Sequence, residues 1–134
     1  MDDSGDSKVL LAARCLVASL FLWSGVGKIT GYDEAIAFMS DTGTLKGLLP
    51  LAVAIEVGGA VMLVVGFRLR FTALLLAGFC LFTALLFHAN FADRMQMFHL
   101  LKNVAIAGGL LALYVAGPGR LSLDGVGDVD DTDD

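Results

Sequence analysis

Seven side chains are out of keeping with the apolar runs that surround them. Arg14 and Lys28 lie fourteen residues apart in the first run, and Glu56 interrupts the second. His88 closes the third run, while His99, Lys102 and Asn103 open the fourth. Cationic groups in excess around one carboxylate suit two kinds of chemistry. One is an ion pair that fixes helix register. The other is N–H donation to an anionic or oxygen-rich ligand, such as a quinone headgroup or a sulfur oxyanion.

Helix geometry groups these residues. Fourteen residues make about four turns, so Arg14 and Lys28 share a face. Measured from the loop near residue 30, Arg14 is about 20 Å deep and Glu56 about 14 Å. A central charge costs about 2.5–3.5 kcal/mol on insertion scales, so both should face the interior and be paired. The expectation is a Glu56–Arg14 pair. His99, Lys102, Asn103 and Ile106 follow i, i+3, i+4, i+7 spacing on one face, and His88 stands across a nine-residue link. Blander roles stay open. Lys28 and Lys102 are also what helix ends at headgroups carry, and both histidines sit near the interface.

The elements that position these groups follow from composition. Hydrophobic residues make up 57% of 134, with 16 glycines besides, and mean hydropathy is +0.77. Soluble domains average about 45–50% apolar with glycine counted, so the chain reads as a membrane protein. Four windows, 9–27, 47–66, 71–89 and 98–117, have the roughly 20-residue length that crosses a bilayer as a helix. A barrel strand would alternate, and FTALLLAGFCLFTALLF does not. The opening MDDSGDSK is acidic and no small-residue cleavage site follows the first run, so that run reads as a retained helix rather than a signal peptide.

YDEAIAFM places Tyr32, Ala35, Ile36 and Met39 on one side of a short helix, too short to span, between the first two runs. Short links then give an all-α, up-down-up-down four-helix bundle over residues 8–120. Both termini fall on one side. Lys8, Arg68, Arg70 and Arg120 there balance Lys28, Lys46, Arg94 and Lys102 opposite, and Arg14 tips the count towards a cytoplasmic location for both ends in a prokaryotic plasma membrane. Nine of the fourteen acids lie in the end segments, 1–7 and 121–134, which read as solvated, disordered tails. Such acidity would also suit a basic partner or a halophilic source.

Several chemistries find no support. Histidines and cysteines are not at metal spacings, Cys15 and Cys80 form no CxxC, and neither a phosphate-binding glycine loop nor a haem-attachment motif occurs. No metal, nucleic acid or catalytic residue is implied, and no cofactor firmly, with quinone as the candidate.

Three segments resemble the DoxX family. They are FLWSGVGKITGY after the early arginine, PLAVAIEVGGAVMLVVGFRLR, and FHLLKNVAIAGGLLALYVAGPGRLSLD with its closing GxGxxSxD. The resemblance spans about residues 8–124. It implies a small four-helix integral membrane protein whose family-like polar set is Arg14, Lys28, Glu56, Lys102 and Asn103. The family's name comes from a subunit of an archaeal thiosulfate:quinone oxidoreductase, and other members are similar to partners in membrane redox-stress complexes. The expectation is therefore an oxidoreductase subunit that contacts quinone without being a complete enzyme, with a protein partner or homo-oligomer in the bilayer. The alternative is a membrane scaffold or small-molecule transporter with no redox chemistry.

Overall fold

The computed structural model describes residues 3–130. Four long helices dominate: α1 (Asp3–Thr30), α3 (Leu49–Val65), α4 (Leu69–Phe87) and α5 (Arg94–Ala116). All four are long and apolar enough to cross a membrane, α3 when counted with the 3-10 turn before it, as Lys46–Val65. Two short helices complete the chain, α2 (Tyr32–Asp41) between the first two spans and α6 (Leu123–Asp130) after the last. The architecture is the expected all-α membrane bundle, and no strand occurs among the described residues.

Helix ends follow local chemistry. The α3 segment starts behind a 3-10 turn, with a proline in its first turn, where a missing N–H costs little. It ends at Gly66, whose φ of +70° is a left-handed cap that suits glycine. The Asp93 carboxylate accepts from the N–H groups of Met95 and Gln96, so α5 begins at Arg94, a turn before the apolar run itself.

The helices pack chiefly as α1 on α3 and α4 on α5, with α3 on α4 joining the pairs. Their shared core contains Ala18, Phe21, Ala60, Leu63, Leu76 and Leu110, each at most 3% exposed. Small residues let backbones approach, as at Gly25, where an added Cβ would lie 2.6 Å from Val57 Cγ2. The outer faces are apolar as well: Leu16 is 73% and Val115 77% exposed. In water such a surface would be a liability, whereas in lipid it is the solvated face.

The terminal-side end is closed by a clasp that the sequence reading did not anticipate. Arg14 is completely buried, and it donates to the carbonyls of Leu63 and Val64, at 3.4 Å each, and to that of Leu121. Two of these acceptors are last-turn carbonyls of α3, which have no partner inside the helix. Asp124 does the complementary job for α4, its two oxygens each 2.9 Å from the N–H groups of Arg68 and Leu69. Its own N–H returns to the Gly66 carbonyl at 3.1 Å. Ser7 Oγ accepts from the Arg120 N–H at 3.2 Å, bringing both ends of the chain to one side.

The segment expected to be a disordered tail from residue 121 therefore begins as part of the fold, and it is helical from Leu123 to Asp130. At the N-terminal end, α1 already starts at Asp3; Met1, Asp2 and residues 131–134 lie outside the described residues. Because Asp124 caps two N–H groups with a charged acceptor, Asp124→Ala is expected to destabilise the fold by about 1–2 kcal/mol. Thermal unfolding in detergent would read this as a lowered midpoint. An unchanged midpoint would mean that the α4 start is satisfied otherwise.

Candidate functional site

The opposite end of the bundle holds the polar set. Glu56, on α3, is 5% exposed and meets Lys28 from α1: the Nζ lies 3.1 Å from Oε1 and 2.9 Å from Oε2. Ser24, one turn before Lys28, donates to Oε1 at 3.0 Å and accepts from Nζ at 2.8 Å. Each oxygen of the buried carboxylate thus has a partner, as a buried charge requires. The ion pair ties the end of α1 to the middle of α3.

The expected Glu56–Arg14 pair is not formed. Arg14 leans the other way, into the terminal-side clasp. The cause is the direction of helical side chains, which tilt towards the N-terminus of their own helix. On α1 that tilt carries Arg14 away from Glu56 and carries Lys28 inwards, while on the antiparallel α3 it sends Glu56 towards Lys28. Ser24, absent from the sequence-derived set, was legible as the i, i+4 neighbour of Lys28.

Beside the pair lies a cavity of about 630 Å³ between α1, α2, α3, α4 and α5. Lys28, Glu56, His88, Lys102 and Asn103 of the sequence-derived set line it, whereas Arg14 and His99 do not. His99 still belongs to the cluster, since its ring stacks on His88 at 5.1 Å and its Nδ1 is 3.4 Å from Lys102 Nζ. Asn103 donates to the Cys80 carbonyl at 3.4 Å. Most of the remaining wall is apolar, and α2 contributes Phe38, which packs on Phe87 at 5.3 Å, and the buried Met39. Trp23 and Phe82 both line it and are outward-facing, 83% and 62% exposed.

No group of three or more His, Cys, Asp or Glu is placed to hold a metal among the described residues. Both cysteines are free; Cys15 is exposed and Cys80 buried.

His88, just beyond α4, titrates below the ordinary imidazole range because burial disfavours its charge, and His99 and Lys102 reinforce this. The unfolded chain therefore binds this proton more readily than the folded one. That contribution to stability is complete above the unfolded value, about 6.5, and is lost as pH falls below it. A titration of unfolding midpoint from pH 7.5 to 5 should show a decline that is shallower in His88→Gln. Equal slopes in the two proteins would assign the decline to other groups.

Comparison with known proteins agrees with this architecture. The DoxX family model matches residues 9–89 and stops before α5. Inner membrane protein YqjF of Escherichia coli is 44% identical over 115 residues, covering 86% of this chain and 88% of the relative. Inner membrane protein YphA of the same organism is 36% identical over 123 residues, covering 87% and 88%. No solved structure matches. With four spanning helices, a family match across most of three of them and two relatives similar over most of their length, the chain belongs to the DoxX family.

Proposed function

We propose that the chain is an amphiphile-binding subunit of a membrane assembly. A molecule with an apolar body and a polar, oxygen-bearing head would enter from the bilayer between Trp23 and Phe82. Its head would then meet the donors at the loop-side end. The observation that carries this reading is one cavity whose lining joins outward-facing apolar side chains, Trp23 and Phe82, to a polar end. Its volume is in the range of about 300–1,000 Å³ usual for small-molecule sites. A quinone is the redox-active member of that ligand class. Service to a membrane redox or stress-protection complex rests on the family resemblance.

The chain acts as a subunit in this reading, because none of its side chains is an electron-carrying centre. A scaffold without a ligand would leave the lipid-facing cavity without purpose. The test is a mild-detergent purification with mass spectrometry of bound lipids, quinones and proteins, run beside Ala52→Trp, which fills the cavity from α3. A defined amphiphile retained by the wild type and lost in Ala52→Trp is the expected result. The same lipid complement in both proteins would overturn the reading and favour the scaffold. Co-purification of an oxidoreductase would tie the site to redox chemistry.

A further inference from the structure

On the reading that the cavity is a ligand site, its charge balance narrows the ligand. Three charged side chains line it: Lys28, Glu56 and Lys102. The first two cancel, since Lys28 Nζ is within 3.1 Å of both Glu56 oxygens. Lys102 has no such counter-charge. Its contact is His99 Nδ1 at 3.4 Å, where an imidazole accepting from the ammonium brings no negative charge. No carboxylate among the described residues comes within ion-pair distance of it. Asn103, the next residue, uses Nδ2 on the Cys80 carbonyl, which leaves that nitrogen a second hydrogen.

The polar end therefore carries one net positive charge and N–H donors, under a wall that is otherwise mostly apolar. A half-buried ammonium in such surroundings is costly without a counter-ion. A neutral head leaves that cost in place, whereas a single negative charge removes it. We propose that the cavity holds a single-chain amphiphile with a monoanionic carboxylate head. The head is seated on Lys102, with Asn103 as a second donor, and the chain lies along the apolar wall towards the opening at Trp23 and Phe82. The Lys28–Glu56–Ser24 cluster is already satisfied internally and shapes the end of the cavity without contributing net charge.

The test compares radiolabelled hexadecanoate with its methyl ester on full-length protein in a neutral detergent at pH 8, in wild type, Lys102→Gln, Lys102→Arg and Ala52→Trp. The acid should bind about tenfold more tightly than the ester, the scale of one charge-assisted contact. Lys102→Gln should abolish that preference, Lys102→Arg should keep it, and Ala52→Trp should block both probes.

Equal binding of acid and ester in the wild type, or a preference that survives Lys102→Gln, would overturn the assignment. Blocking of both probes by Ala52→Trp would then leave the ligand-site reading standing. Failure of the wild type to bind either probe would remove both. The acid–ester comparison in the unaltered protein decides the matter even if Lys102→Gln does not fold.

Discussion

Replacing Arg14 with leucine is expected to destabilise the bundle by about 3 kcal/mol, through the loss of donors to otherwise unpaired carbonyls. The opposing effects can be weighed. Removing the charge recovers at most about 2.5–3.5 kcal/mol, the insertion cost of a charge at a helix centre. Against that, the carbonyls of Leu63, Val64 and Leu121 lose their shared donor, at about 1–3 kcal/mol for each buried acceptor left unmade. A void where the guanidinium stood adds to the cost. The losses win unless the turn after α3 rearranges.

Rearrangement has little room. Gly66 has a left-handed conformation, and a Cβ added there would collide with Arg14 Nη1 and Ser122 Cβ. Arg14→Lys should be intermediate, because one compact ammonium cannot present the planar fork that meets three carbonyls. Detergent-solubilised protein followed by thermal unfolding reads the order wild type, lysine, leucine. A leucine variant as stable as the wild type would show that the clasp does not hold the α3–α4 end.

At the other end the expected result is an asymmetry. Lys28→Met strands Glu56, whose side chain is 6% exposed, and should cost about 3–5 kcal/mol or force the carboxyl to take up a proton. Glu56→Gln is milder. Its partner Lys28 is 31% exposed, stands in the last turn of α1 and can swing its ammonium to the interface. The double variant Lys28→Met with Glu56→Leu removes both charges and should recover most of the stability lost in Lys28→Met alone, because an apolar pair of similar volume replaces a buried ion pair at little net cost. Unfolding midpoints of the wild type, Lys28→Met, Glu56→Leu and the double variant form a double-mutant cycle. Additive effects would show that the two side chains are not coupled.

These two ends explain what was legible in the sequence. The four spans and the short helix at Tyr32 follow from run length and spacing, because a bilayer permits few other ways to satisfy the backbone. Gathering Lys28, Glu56, His88, Lys102 and Asn103 at one mouth followed from depth along antiparallel helices.

Partnership did not follow from depth. Arg14 and Glu56 are closer in height than a long side chain's reach, yet their Cα–Cβ bonds point apart, and direction decided the outcome. The C-terminal aspartates failed for a different reason. Five of the six stand in a run that composition alone describes as solvated, and Asp124 is distinguished only by the GxGxxSxD that precedes it. That pattern sets two left-handed glycines, Gly117 and Gly119, ahead of Ser122 and Asp124, and so turns the chain back onto the α3–α4 turn. Sequence distance hid the contact: Asp124 caps a helix that begins 55 residues earlier.

On the proposed reading the cavity takes one defined amphiphile out of the bilayer. Two phenylalanines of α4 give a matched pair for testing it. Phe82 lines the cavity, while Phe71, 61% exposed, faces outwards away from it. Each would be replaced in turn by benzoylphenylalanine, and the protein irradiated in native membranes before its adducts are weighed. A single amphiphile mass at position 82, set against a mixture of bulk lipids at position 71, is the predicted result. The same bulk-lipid mixture at both positions would mean that the cavity selects no ligand.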